Sequence, residues 1–443
     1  MITGIIISIL TCIALVLSII FKPSIIIFKR RFDTFWIVAS IGALLVLLTG
    51  SLPIKVLVNN LTTNTSINPL KIIILLLSLT MLSITLDEVG FFEHIAAVAI
   101  QKTNGSKYKL FFIFYALTAV LTIFTSNDIV ILTFTLFICY FSKSAKINPI
   151  PYLVMEFVTA NTYSMFFIIG NPTNIYIASF FNITFIEYFK VMWLPTILAG
   201  ATSLALLLLM FKKDLMQKMD ISSVSVTPIK HHTLSIVACL HLILCTVLLA
   251  ISNYVKLEMW LITLVFAISL TIVLGAYTIV SKDLRTISHV YKRLPYTLCF
   301  FVIAMYTIVL TIDYYGITSN IALLFDNLAK VDAPLLSKII TTFIYGFAST
   351  ITDNLINNIP MSLGFASILE NATINTMHAT FATIIGSNIG AYLTPIGALA
   401  GIMWIRILKE EHVPMGFKGF IKYSALLSIP VLVMALVSLL ITL

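Results

Sequence analysis

Apolar residues run for long stretches of this chain, near 2–22, 34–52, 70–86, 190–211, 233–252, 258–280, 294–312 and 421–442. A helix needs roughly 20 apolar residues to cross the hydrocarbon core of a bilayer, so each stretch predicts a transmembrane helix. Two further regions, 107–181 and 336–405, are apolar in bulk but interrupted by hydroxyls, amides, Gly and Pro. The interruptions repeat. Thr122, Thr125, Ser126 and Asn127 return as Ser349, Thr352, Asp353 and Asn354, and Asn161, Ile169 and Gly170 return as Asn388, Ile396 and Gly397, at a spacing of 227 residues. Leu86-Asp87-Glu88-Val89-Gly90 is answered by Ile312-Asp313-Tyr314-Tyr315-Gly316 at a spacing of 226. Backbone polar groups in lipid must be satisfied within the protein, so interruptions at matching positions predict a cavity lined by broken helices near the bilayer midplane.

Each half then reads as three spans, a re-entrant hairpin, a broken span and a final span. That makes an odd number of full crossings, which inverts the second half relative to the first. The expected fold is an all-α polytopic membrane protein made of two inverted-topology repeats. The first repeat is 1–212, with a hairpin at about 107–142 and a broken helix at about 151–181. A cytoplasmic linker follows at 213–232, and the second repeat is 233–443, with a hairpin at about 336–366 and a broken helix at about 379–405.

Composition agrees with this pattern. Hydrophobic residues make up 60% and charged residues 10% of the 443 positions, against about 25% charged in a soluble domain. Mean hydropathy is +1.06. The first stretch lacks the charged front and small-residue cleavage site of a signal peptide, so it reads as a retained helix. A net charge of +9 raises the question of nucleic acid. The basic residues, however, sit in short loops around 23–31, 102–109, 143–146, 212–230, 282–293 and 406–422, where they report orientation: those loops are expected to be cytoplasmic and both termini to face outward. Cys12, Cys139, Cys239, Cys245 and Cys299 lie singly in apolar spans, with no CxxC pair and no Cys/His metal spacing, and read as structural filler, so a three-thiol site for a soft metalloid is not supported. No G-x-x-x-x-G-K-[ST] motif is present, so the chain does not hydrolyse ATP itself.

The candidate chemistry lies at the interruptions. In the first hairpin Thr125, Ser126, Asn127 and Asp128 place hydroxyls, an amide and a carboxylate where the backbone must reverse. A carboxylate at that depth costs at least a few kcal/mol unless it meets a cation or carries a proton; the bland alternative is an aspartate that caps the tip. In the second hairpin Thr352, Asp353 and Asn354 stand in the equivalent place, with Asn357 as a tip amide and Asn358 and Pro360 opening the next arm. The first break reads Asn161…Gly170-Asn171-Pro172-Thr173-Asn174, and the second Asn388…Thr394-Pro395-Ile396-Gly397. Gly and Pro unwind a helix, and the half-helix ends offer N–H groups to oxygen-rich solutes and carbonyls to cations. Asp87, Glu88, Glu93 and Asp313 read instead as helix-end and interfacial residues, with Glu93 and His94 on an amphipathic cytoplasmic segment.

These residues resemble the ion transporter superfamily that includes arsenite efflux permeases, sodium/proton antiporters and sodium-coupled divalent anion symporters. The likeness spans nearly the whole chain and is closest to the arsenite permeases. It is carried by Leu86-Asp87-Glu88-Val89-Gly90-Phe91-Phe92-Glu93, the Ser126-Asn127-Asp128 tip, Phe180-Phe181-Asn182-Ile183-Thr184-Phe185-Ile186-Glu187-Tyr188, Asn354-Leu355-Ile356-Asn357-Asn358-Ile359-Pro360, and Thr394-Pro395-Ile396-Gly397 through Trp404. The break at Gly170-Asn171-Pro172-Thr173-Asn174 is more similar to the broader antiporter and anion-permease members. The resemblance implies two hairpins meeting two broken helices around a central site, carried across the membrane by a transport domain that slides on a scaffold.

The function expected is secondary active transport of a small oxyanion-type solute, most like proton-coupled efflux of arsenite or antimonite, in a multi-pass cell-membrane protein. The rivals are a sodium-coupled dicarboxylate, citrate or sulfate symporter and a sodium/proton antiporter. No Lys or Arg lies within the broken spans 151–181 and 379–405, which favours a neutral or weakly charged solute over a multiply charged anion. An intramembrane enzyme is disfavoured, since H-E-x-x-H and G-x-S-x-G are missing and the acids repeat with the fold instead of converging. A passive channel suits two hairpins that stop midway less well than alternating access does. No cofactor, metal or catalytic residue is expected, and the coupling ion is H+ or Na+. The expected partners are a small-molecule or ion substrate and the lipid bilayer, with no nucleic acid. A homodimer is compatible with the sequence, and a soluble ATPase partner is implied by the resemblance alone.

Overall fold

A computed structural model describes residues 2–22, 24–27, 30–63, 68–101, 103–219, 231–252, 254–282 and 284–443. The linker expected at 213–232 therefore falls outside the described residues over 220–230. The chain opens with α1 (Ile2–Phe21), a two-stranded antiparallel ribbon of β1 (Ser24–Ile27) and β2 (Arg30–Asp33), α2 (Thr34–Leu48) and the short α3 (Ile54–Thr62). Next come α4 (Pro69–Glu88), α5 (Phe91–Gln101), and a helix pair α6 (Lys107–Phe124) and α7 (Asn127–Ser144) joined only by Thr125 and Ser126. α8 (Ile150–Tyr163) breaks through a single tight turn at Ile168–Gly170 into α9 (Pro172–Phe180), and α10 (Phe185–Leu215) closes the first half.

The second half follows a similar order. It contains α11 (His232–Ala250), α12 (Met259–Ser281), α13 (Leu284–Arg293), α14 (Tyr296–Tyr314) and α15 (Ile317–Ala329). The pair α16 (Pro334–Ile356) and α17 (Asn358–Glu370) turns on Asn357; α18 (Thr376–Gly390) breaks before α19 (Leu399–Glu410), and α20 (Phe417–Thr442) ends the chain. Among the described residues, nine helical runs are long and apolar enough to cross a membrane, with α13 and α14 taken as one run.

Local chemistry sets several of these boundaries. The apolar stretch 34–52 stops as a helix at Leu48, because Gly50 turns at φ +65° and Pro53 follows. The stretch 190–211 extends forward to Phe185, where Thr184 and Glu187 form a reciprocal capping box. The ribbon at 24–33 was not foreseen, and a basic loop of that length carries no strong strand signal.

Packing separates two environments. α1, α11 and α12 turn large apolar side chains outward, among them Ile6, Leu10, Ile243 and Ile272, as lipid-facing helices do. α8 and α18 are buried nearly all round and so sit at the centre of the bundle. α8 packs on α6, α7 and α10, while α18 packs on α16, α17 and α20. α16 and α18 approach closely because Gly386 has no side chain: a Cβ there would lie 2.5 Å from the Gly346 carbonyl oxygen and 2.0 Å from Ser349 Oγ. Gly386→Ala is therefore expected to lower stability by about 1–3 kcal/mol through overpacking, since the Gly346 backbone cannot move aside. Gly364→Ala, with nothing within 4 Å of the new methyl, serves as the control and should hold or raise the melting temperature in detergent.

Candidate functional site

The polar residues of the two breaks meet in the middle of the bundle. Asn388, on α18, is the hub. Its Oδ1 accepts from Ser164 Oγ at 2.6 Å and from Asn171 Nδ2 at 3.0 Å, and its Nδ2 donates to Asn174 Oδ1 at 2.6 Å and to the Ile384 carbonyl at 2.8 Å. Beside it Ser387 Oγ donates to Thr173 Oγ1 at 2.8 Å. One helix of the second half is thus bonded to both sides of the first half's break, and all these side chains are buried. The break has a steric cause: a Cβ on Gly170 would lie 2.3 Å from the Ser164 carbonyl oxygen, so only Gly lets the chain fold back this tightly. Asn171 then caps α9 by accepting from Thr173 N, with Pro172 in the first turn where a missing N–H is harmless.

The hairpin tips engage differently in the two halves. Asn127 Nδ2 donates to Asn161 Oδ1 at 2.9 Å, and Thr125 Oγ1 donates back to the Leu121 carbonyl. In the second half Asn354 donates to the Thr350 and Gly390 carbonyls, and its Oδ1 accepts from both the N–H and the hydroxyl of Thr394. Asn357, at φ +79°, caps α17 and donates to the Ile396 carbonyl at 3.0 Å, while the Asn358 N–H donates to the Gly397 carbonyl. Thr352 stands apart, half-buried and outside these networks.

Asp353 and Asp128, equivalent only loosely in the repeat, lie in opposite settings. Asp353 is fully buried and neither carboxylate oxygen has a hydrogen-bond partner among the described residues. It rests against Gly390, where a Cβ would come 2.7 Å from Oδ2. Asp128 instead lines a cavity of about 650 Å³ together with Ser126, Thr133, Pro172 and Pro395, and it makes no hydrogen bond to a described residue; it does not cap the tip. Three helices begin at this cavity, α7 at Asp128, α9 at Pro172 and α19 at Leu399 and Ala400. Their N-termini bring partial positive charge to its wall. The cations Arg293, Arg406 and Lys409 line the same cavity, and all three come from the basic loops that the charge rule assigns to the cytoplasm. Arg406 lies 3.6 Å from Asp33 of β2, and Arg293 bonds Asp87 at 2.7 Å and also Glu88, so Asp87 and Glu88 are ion-paired helix-end residues. Asp313 likewise accepts from Thr318 within the next helix.

Ser387 belongs to the second break, Gly386-Ser387-Asn388-Ile389-Gly390, that the sequence marks, whereas sequence reasoning passed over Ser164, which completes the central network, and Glu156, a fully buried acid on α8. A lone carboxylate inside a continuous apolar run was the available signal for Glu156.

A membrane-spanning bundle whose central helices break at matched positions beside a cavity open to three helix N-termini is the architecture of a membrane transporter. The chain belongs to the citrate transporter family, whose model matches residues 24–377. It is similar to the arsenical pump membrane protein of Yersinia enterocolitica, with 26% identity over 370 residues covering 82% of this chain and 84% of the relative. The arsenical pump membrane protein of Escherichia coli K12 is also 26% identical, over 420 residues covering 90% and 92% of the two chains. Among solved structures, the YdaH transporter of Alcanivorax borkumensis shares the fold with a TM-score of 0.56 at 12% identity, covering 99% of this chain and 98% of that one.

Proposed function

We infer that this protein is a secondary efflux carrier for a neutral, hydroxyl-rich metalloid solute of the arsenite or antimonite type, driven by protons. The observation that carries this reading is the placing of charge in the cavity. Asp128 lines the cavity, and two of its lining cations, Arg293 and Arg406, already face Asp87, Glu88 and Asp33, so a multiply charged anion would meet a carboxylate and compete with existing ion pairs. A neutral trihydroxide could instead donate to Asp128 and be held by Ser126 and the helix N-termini. The names of the relatives point the same way. In this reading α6–α7 and α16–α17 are re-entrant hairpins of two inverted repeats, at 1–212 and 233–443, and the carrier alternates between a state open at Asp128 and one open at Asp353.

The citrate transporter family model and the unpartnered Asp353 favour one rival, a sodium-coupled carboxylate symporter in which Asp353 holds the cation. Everted vesicles separate the two. Accumulation of arsenite or antimonite that needs a pH gradient, ignores sodium and collapses with a protonophore is the expected result. Sodium-driven carboxylate uptake without metalloid transport would overturn it. Metalloid accumulation that resists the protonophore but needs ATP would reveal a soluble ATPase partner.

A further inference from the structure

Glu156 takes no part in the site described above. It is wholly buried on α8 and forms no ion pair among the described residues. Thr135 of α7 reaches both of its oxygens, with Oγ1 at 3.0 Å from Oε1 and 2.9 Å from Oε2. A hydroxyl has one proton to give, so an ionised carboxylate held in this way keeps one oxygen that receives nothing. A carboxyl that carries a proton removes the shortfall: it donates to the Thr135 oxygen from one side while the Thr135 hydroxyl donates to its other oxygen.

A second group fits the other protonation state. The indole N–H of Trp404, on α19, is buried without a hydrogen bond of normal length to any described residue, yet it is close enough to the same carboxyl to act on it as a donor. Phe157 and Phe420 hold the indole in place, with ring centroids 5.1 Å and 5.5 Å away. An orphaned donor beside a carboxyl is the partner that the ionised form lacks. Among the described residues no cation acts on Glu156 in its stead, and Lys143, which reaches Cys139, is paired with Glu411. α7 contributes Thr135 and Cys139, and α8 itself contributes Tyr152. From α6 come Phe111 and Phe114, packed on Tyr152, and from α20 Phe420, packed on Phe157. The acid of α10, Asp214, bonds Asn148 just ahead of α8.

We propose that Glu156 is a second proton-carrying residue of the carrier, protonated and paired with Thr135 in this conformation, and ionised and paired with the Trp404 N–H in another. On release, the carboxyl O–H bond breaks, the proton passes to water at the N-terminal end of α8, beside the loop from α7 that carries Lys146, and the carboxylate takes the indole N–H as its second donor. Because Trp404 belongs to the helix that starts at the cavity, the proton state of Glu156 and the packing of α19 become linked. The role in transport rests on the proton-coupled reading above; the protonation itself does not.

Two measurements on the full-length protein test this separately. Infrared spectra of purified wild type and Glu156→Gln at neutral pH should differ by a protonated-carboxyl C=O band, which Thr135→Val shifts. In Trp404→Phe, which keeps the ring and loses the donor, the band should persist to higher pH than in wild type. No band difference in Glu156→Gln, or an unchanged titration in Trp404→Phe, overturns the proposal. In proteoliposomes, with arsenite as the probe, Glu156→Gln should still exchange arsenite but move fewer protons per arsenite, and an unchanged ratio overturns the transport role. If wild type moves no protons with arsenite, the proposed function fails, and the infrared result still decides the protonation of Glu156.

Discussion

Asp353→Asn is expected to abolish concentrative transport, with a fall of at least about tenfold in gradient-driven accumulation, while the protein still reaches the membrane and melts no earlier than wild type. The side chain is fully buried at the last turn of α16 and neither oxygen finds a donor among the described residues. A bare carboxylate in such a place is costly, so it must take up a cation or a proton, and that requirement is what couples an ion to a conformation. Asparagine keeps the shape and removes the requirement. It also removes a buried charge without orphaning a partner, which is why stability should hold or improve. A tenfold loss corresponds to about 1.4 kcal/mol of coupling. Gly390→Ala should reproduce the transport defect, because its methyl would press to within 2.7 Å of Asp353 Oδ2 and close the space for an ion. Asp128→Asn should also reduce transport, but by weakening solute binding in the cavity, and so raise the half-saturating concentration more than it lowers the maximal rate. Normal gradient-driven transport by both aspartate variants would remove the coupling role from Asp353 and the binding role from Asp128. Radiolabelled uptake in everted vesicles, normalised to membrane expression, reads all three.

Asn388→Leu should cause the largest loss of stability. Leucine is close in size but apolar, and it would leave Asn171 Nδ2 and Asn174 Oδ1 without their buried partners, while Ser164 keeps its bond to the Asn161 carbonyl. At about 1–3 kcal/mol for each stranded group, the expected cost is about 2–6 kcal/mol. Asn161→Leu breaks a single contact between side chains, the one to Asn127, and should cost about half as much or less. Thermal unfolding in detergent compares the two. Equal shifts would mean that the Asn388 cluster is not what holds the two halves together. The variant is also expected to stop transport, because Asn388 fixes both sides of the first break from the second half of the chain.

The spanning helices are legible in the sequence because lipid enforces one rule at every position: an uninterrupted apolar run must satisfy its own backbone, and a helix does that within the segment. The run at 70–86 became α4, and the run at 421–442 lies within α20. The positions of the breaks are legible for a related reason. Gly170 with Pro172, and Thr394-Pro395 with Gly397, each bring Gly and Pro together within four residues, which disfavours helix more strongly than the single Pro195 and Pro430 that α10 and α20 absorb. The short ribbon at 24–33 was not legible, since nothing in its composition distinguishes it from a basic loop.

Partners were a different matter. The repeat sets Asn127 against Asn354 and Asn161 against Asn388, yet Asn127 bonds Asn161 while Asn354 turns to Thr394 and Asn388 crosses into the other half. Asp128 and Asp353 read alike and are placed differently, one lining a cavity and one sealed against Gly390. Glu156 gained its meaning only from Thr135 and Trp404, which lie on two other helices. The sequence by itself determined the membrane class, the spanning helices and the positions where they break, because these follow from hydrophobicity and backbone chemistry along the chain. Which amides pair, which acid faces the cavity and which is left without a partner were decided by the tertiary structure, because a hydrogen bond depends on tenths of an ångström between residues that are far apart in sequence.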